Sequence, residues 1–208
     1  MKRITVLLCV AMLAVMMTAG ASAAAVPGIT DNQVTIGAFQ DQSGAAASVG
    51  IPMRKGMEAY FNWVNAQGGV NGRKIKFIVE DDGFQAARAI AATKKLVEQD
   101  KVFALVGTLG SPGVAATIDY IMDNKIPSIY QGTGISAPAY PPKKYFFPVQ
   151  PNYTSEGRII AAYVVENLKM KKIALACEQT DIGSEGLRGV QEQLAIYKMA
   201  PVEVIRFG

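Results

Sequence analysis

Apolar and polar positions change period at regular intervals along the chain. Val34 to Phe39 is a short apolar run led in by Thr30, Asp31 and Asn32, and it predicts a buried strand. After the loop Asp41-Gln-Ser-Gly44, the residues Val49, Met53, Met57, Tyr60 and Val64 recur at helical spacing. Pro52 is tolerated in the first turn of that helix, and Gly68-Gly69 ends it. Asn71-Gly72 signals a turn, and Lys74 to Val79 alternates as a second strand. A helix follows from about Gln85 to Gln99, with Ala86, Ile90, Thr93 and Val97 expected on its inner face. Phe103 to Val106 predicts a third buried strand, Gly107 to Gly110 a loop, and Ser111 the cap of a new helix. Pro112 suits its first helical position, and Val114, Ile118, Ile121 and Met122 continue the stripe. Lys125 to Tyr130 supplies a fourth strand.

A second series is shorter. Tyr145 to Val149 is an apolar segment, and Gln150-Pro-Asn-Tyr153 reads as a crossing. A helix from about Thr154 to Lys169 precedes a strand, Lys172 to Ala176. The loop Asp181-Ile-Gly-Ser-Glu-Gly186 leads into a helix reaching about Met199, and Val202 to Phe207 is a last strand. Repeated β-α units with short turns predict an α/β fold with doubly wound, mostly parallel sheets. Two parallel strands cannot cover their own faces or edges, so the second series is expected to belong to a longer protein or to rely on a partner.

Ligands of such folds collect at the carboxyl ends of strands, which directs attention to Gln40 to Ser48, Gly107 to Ser111 and Gln131 to Ser136. The helix opening at Ser111 leaves unpaired N–H groups and a positive dipole end at the sheet edge, suited to a carboxylate. The plainer alternative is that Ser111 only caps its own helix. Gly132-Thr-Gly-Ile-Ser-Ala137 formally matches a dinucleotide fingerprint, but Pro138-Ala-Tyr-Pro-Pro142 forbids the helix that must receive the pyrophosphate. A nucleotide cofactor is therefore rejected. The loop reads instead as an anion nest of backbone N–H groups with the Thr133 hydroxyl facing a cleft.

Composition narrows the chemistry. Lys2 and Arg3 precede the apolar run Ile4 to Met17, and Ala21-Ser-Ala23 is a small-x-small cleavage site. Residues 1–23 are expected to be a signal peptide cut after Ala23, too short in its apolar run for a membrane anchor. The chain carries 21 basic and 17 acidic residues, and losing Lys2 and Arg3 leaves 19 against 17, a net of +2. With no basic stripe, nucleic acid is excluded as a partner. Cys177 would be the only cysteine left after cleavage, so no intrachain disulfide is expected. There is no histidine, which removes Ser-His, Cys-His and His-metal chemistry. Glu80, Asp81 and Asp82 lack partner ligands nearby in sequence, so they read as a solvated strand end beside the next helix rather than a metal site. Ser184 lies outside a G-x-S-x-G elbow, and only a lysine base remains formally open to it or Ser111, so no enzyme is expected.

Five segments in order then resemble a known family: Val34-Thr-Ile-Gly-Ala-Phe39, Ser43-Gly44, Gly68-Gly-Val-Asn-Gly-Arg-Lys-Ile75, Val79-Glu-Asp-Asp82 and Val106-Gly-Thr-Leu-Gly-Ser111. Together they are similar to the periplasmic solute-binding proteins of branched-chain amino acid ABC transporters. The resemblance covers about Val26 to Gly208 and would correspond to roughly the first half of a typical member. It implies the type I periplasmic binding fold, with an N-terminal lobe over 24–148, the start of an incomplete second lobe over 149–208, and a small molecule held between them. On this resemblance Ser111 holds the ligand's carboxylate, and Gly132, Thr133 and Gly134 form the loop that contacts the same group. Tyr153 and Ile182 stand at further ligand-contact positions, and both depart from the common pattern, as do Val49, Pro148 and Gly134. These departures weaken the case for a leucine-like ligand and leave a less polar, aromatic carboxylate open. The acid that pairs with an amino acid's ammonium would lie beyond Gly208. The implied partner is a membrane permease, the implied location the periplasm, and the implied full-length state a monomer. A ligand-sensing receptor on the same fold is the alternative.

Overall fold

The computed structural model describes residues 26–208; the expected leader and its cleavage site lie outside the described residues. Gln33–Gln40 (β1), Lys74–Asp81 (β2), Ala104–Val106 (β3), Ser128–Ile129 (β4) and Phe146–Phe147 (β5) form one parallel sheet in the order β2-β1-β3-β4-β5. Ala174–Glu178 (β6) and Glu203–Phe207 (β7) pair in parallel as a second sheet. The helices are Ala47–Ala66 (α1), Ala86–Lys94 (α2, extended by a π turn at Lys95–Gln99), Ser111–Asp123 (α3), Tyr153–Glu166 (α4) and Asp181–Ile196 (α5). None of the helices described is long and apolar enough to cross a membrane.

The doubly wound α/β expectation is met. Strand order reverses between β1 and β3, so the loops that follow these two strands flank the switch point at the carboxyl edge. β1 is interior and buried from Thr35 to Gln40, as a parallel strand covered on both faces should be. One core joins Leu96, Val102, Leu105, Ile118, Ile121 and Phe146. Another joins Phe39, Ala89, Ala92, Val114 and Ile135, with Tyr153 packed against it. The second sheet is covered on one face by α4 and α5 through Ala161, Val190 and Leu194. Every residue of β7 is exposed.

Several boundaries and faces differ from the hydrophobic pattern. Val49 and Tyr60 are exposed, because α1 is rotated to press Gly50 onto the first loop, where an added Cβ would lie 1.8 Å from the Asp41 carbonyl oxygen. On α2 the inner face is Ala89, Ala92, Thr93 and Leu96, while Ile90 points outward. Small residues carry this contact because α3 approaches closely: a Cβ on Gly113 would come within 2.8 Å of the Ala89 Cβ. The fourth strand is reduced to Ser128–Ile129, bracketed by left-handed residues at Lys125 and Tyr130. The loop expected over Asp181 to Gly186 is the first part of α5, capped by Thr180.

Candidate functional site

The unit β3-loop-α3 builds the site. The chain leaves β3 through Gly107 and reaches Gly110, whose φ of +112° only glycine adopts readily. The Phe84 ring lies 3.2 Å from where a Cβ on Gly110 would stand. Gly110, not Ser111, is the cap of α3, with Ser111 and Pro112 the first two helical residues. Capping therefore does not account for Ser111, whose hydroxyl pairs with side chains of other elements. Its Oγ lies 2.7 Å from the Thr133 Oγ1 and 3.4 Å from the Tyr153 hydroxyl, joining three elements at a helix N-terminus.

Thr133 belongs to the loop after β4. The Gly132 N–H donates to the Thr108 carbonyl at 2.6 Å, and the Gly110 N–H donates to the Gly132 carbonyl at 3.3 Å, stitching the two loops together. The Thr133 N–H donates to the Gln131 carbonyl at 2.8 Å. The expected nest of free amides is thus corrected: the N–H groups of Gly132 and Thr133 are spent on carbonyls. The hydroxyls of Ser111, Thr133 and Tyr153 remain the polar groups that converge.

Two departures noted in the sequence turn out to be one feature. A Cβ on Gly134 would fall 2.7 Å from the Tyr153 ring, and the Tyr153 N–H donates to the Gly134 carbonyl at 2.7 Å. The aromatic ring takes the space that a side chain at position 134 would fill. Asn152 starts α4 by accepting the Ser155 N–H at 2.8 Å, which sets where Tyr153 begins.

The structure thus brings Ser111, Thr133, Gly134 and Tyr153 together, with Gly132 supporting the loop through its backbone. Ile182 is half-buried in the first turn of α5 and lines a cavity of about 370 Å³ with Tyr153, Leu175, Leu187 and Phe207. Tyr153 is common to this cavity and to the hydroxyl cluster. A smaller cavity of about 240 Å³ is lined by Thr133 with Gln131, Pro138, Tyr140 and Gln150.

The acidic strand end is not solvated as expected, since Asp82 is fully buried. The Asp41, Asp81 and Asp82 carboxylates come within 4.8 Å of one another. Asp41 already accepts the N–H groups of Ser43, Gly44 and Ala46. Asp81 accepts the Gln42 and Gly83 N–H groups, the Ser43 hydroxyl and Arg88. Asp41 thus closes the turn after β1 on itself, and Asp81, with donors from both turns, holds the turn after β1 against the turn after β2. Burial pushes Asp81 up, but these four donors outweigh it and hold the group down at about 2.

Sequence reasoning missed the anchor of the site loop. Glu185 on α5 receives the Ser136 N–H at 3.0 and 2.9 Å and the Ser136 hydroxyl at 2.8 Å. No local pattern distinguishes this glutamate from a solvated one, because its partner lies 49 residues away.

Comparison with known proteins agrees with this architecture. The profile of a family described as periplasmic binding protein matches residues 33–200. An amino acid binding protein of Pseudomonas aeruginosa is 29% identical over 150 residues, covering 72% of this chain and 40% of that protein. The branched-chain amino acid transporter substrate-binding protein of Streptococcus pneumoniae, solved with isoleucine, superposes with a TM-score of 0.76 at 27% identity, covering 85% of this chain and 50% of that one. A solute-binding protein of R. palustris solved with benzoate gives a TM-score of 0.76 at 23% identity, covering 85% and 49%, a likeness of fold. The chain spans between two fifths and half of the length of these relatives.

Proposed function

The chain belongs to the family of periplasmic binding proteins, and from that premise we propose that it serves as the extracytoplasmic ligand-binding part of an ABC importer. Its ligand is a small carboxylate-bearing molecule, an amino acid or an aromatic acid, and a membrane permease is the partner that receives it. The division into lobes 24–148 and 149–208, the leader over 1–23 and a binding rather than catalytic role belong to the same proposal. The observation that carries it is the release of Ser111 from capping. At the positive end of α3 its hydroxyl meets those of Thr133 and Tyr153, so hydroxyl donors and a helix dipole are offered together to an anion. The apolar lining of the cavity shared by Tyr153 and Ile182 supports a ligand whose remainder is hydrophobic.

Titration calorimetry with L-isoleucine and with benzoate tests this. The wild type is expected to bind one of them, and Ser111→Ala to lose about 1.5–3 kcal/mol, roughly ten- to a hundredfold in affinity, as for a hydrogen bond to a charged group. Thermal melts of the variant separate lost contact from lost folding. Equal affinity in a folded Ser111→Ala protein refutes the role of Ser111, and a wild type that binds neither probe refutes the carboxylate reading for this chain.

A further inference from the structure

Among the described residues, the hydrogen bonds that join residues 26–150 to residues 151–208 all converge on one place. They are the Ser111 to Tyr153 hydroxyl contact, the Tyr153 N–H to the Gly134 carbonyl, and the Ser136 group to Glu185. Each ends on Ser111 or on the loop that carries Thr133. Of the three, the Ser136 to Glu185 connection is charge-assisted and uses both the N–H and the hydroxyl of one residue, which makes it the strongest.

We infer that Glu185 is the positioning residue of the ligand loop. Its carboxylate holds Ser136 from α5, and the tie passes through buried Ile135, whose N–H donates to the Thr133 Oγ1 at 3.2 Å. That bond turns the Thr133 hydroxyl, which in turn meets Ser111 at 2.7 Å. The loop is pinned at its start by the Gly132 N–H on Thr108, in its middle by Tyr153 and at its end by Glu185. The first two ties use main-chain groups and survive any side-chain change outside Tyr153. The third depends on one carboxylate, carried by α5, so it also couples the placement of α5 to the geometry of the site. The inference rests on Ser111 and Thr133 being ligand contacts. A purely structural staple between layers would affect stability and leave the site unchanged.

The experiment uses the full chain as wild type, Glu185→Ala, Glu185→Gln and, as control, Glu192→Ala. Glu192 also lies on α5 but pairs with Arg158 at the surface, away from the loop. Amide hydrogen exchange is read at Ile135 and Ser136 under conditions where all four proteins are folded by circular dichroism. Affinity is read by calorimetry with L-isoleucine and benzoate. Exchange at Ser136 is expected to accelerate about tenfold or more in Glu185→Ala, less in Glu185→Gln, which keeps an acceptor oxygen, and not in Glu192→Ala. The affinity of the probe that wild type binds is expected to fall at least about fivefold in Glu185→Ala, with Glu185→Gln between it and wild type. Unchanged exchange at Ser136, or unchanged affinity with accelerated exchange, overturns the positioning role. If wild type binds neither probe, the carboxylate reading fails by itself, and the exchange at Ile135 and Ser136 alone decides whether Glu185 orders the loop. Should Glu185→Ala not fold, the same comparison is made with Glu185→Gln, for which equality with wild type in both readouts overturns the role.

Discussion

Asp82 gives the protein a defined pH signature. It follows β2 directly and is fully buried, with its Oδ1 accepting the Phe84 N–H at 3.1 Å and its Oδ2 without a partner among the described residues. Burial raises its pKa from 3.8 to about 6; the Phe84 N–H opposes the shift, and the neighbouring Asp41 and Asp81 charges add to it. The folded state therefore keeps the Asp82 proton to higher pH than the unfolded chain does. This contribution to stability is complete below about pH 3.8 and is lost as pH rises through about 6. A shift of about two units, at about 1.4 kcal/mol per unit, amounts to about 3 kcal/mol. Asp82→Asn keeps an acceptor for Phe84 and cannot ionise, so it mimics the protonated form at every pH. The unfolding free energies of Asp82→Asn and wild type, from urea titrations followed by circular dichroism, are expected to separate by about 3 kcal/mol more at pH 7 than at pH 3.5. The variant gains relative to wild type as pH rises, whatever its offset at low pH. Asp81 does not interfere in this window, because its lowered pKa of about 2 places its own loss of stability below pH 3.8. A gap between the two proteins that stays constant from pH 3.5 to 7 refutes the buried, proton-holding Asp82.

Two further perturbations test the packing around the site. Gly113→Ala places a Cβ within 2.8 Å of both the Ala89 Cβ and the Phe39 ring, and this overpacking is expected to lower stability by about 1–3 kcal/mol in thermal or urea unfolding; a melting temperature equal to wild type contradicts the close α2–α3 contact. Gly134→Ala drives a methyl into the Tyr153 ring, 2.7 Å away, so the ring must move and release the Ser111 hydroxyl. Near-ultraviolet circular dichroism of the tyrosines is expected to change and probe affinity to fall, and wild-type values for both mean that the ring does not sit on Gly134.

Much of the architecture is legible in the order of apolar residues. The runs Val34 to Phe39 and Phe103 to Val106 mark parallel strands at β1 and β3, on either side of the switch point, though Phe103 itself precedes β3 and is exposed. The β3-loop-α3 unit is readable for the same reason, since glycine, serine and proline punctuate it locally. Helix faces are less legible. On α1 and α2 the side chains that look most suited to a core, Tyr60 and Ile90, are exposed, because neighbouring elements approach too closely for anything larger than glycine or alanine at the contact. The cap of α3 sits one residue before Ser111, because a glycine with positive φ takes that position and frees the serine hydroxyl.

The alternation of strands and helices, the lack of histidine and the loops from which a site could be built are all written along the chain. These follow from local periodicity, turn residues and composition, each a property of neighbours in the chain. Which groups in those loops remain free is settled by the folded packing. It spends the Gly132 and Thr133 amides on carbonyls, buries Asp82 and sets the Tyr153 ring on Gly134. It also ties Ser136 to Glu185 across 49 residues of sequence. Hydrogen-bond satisfaction and burial depend on distances between distant segments, and no spacing along the chain encodes them.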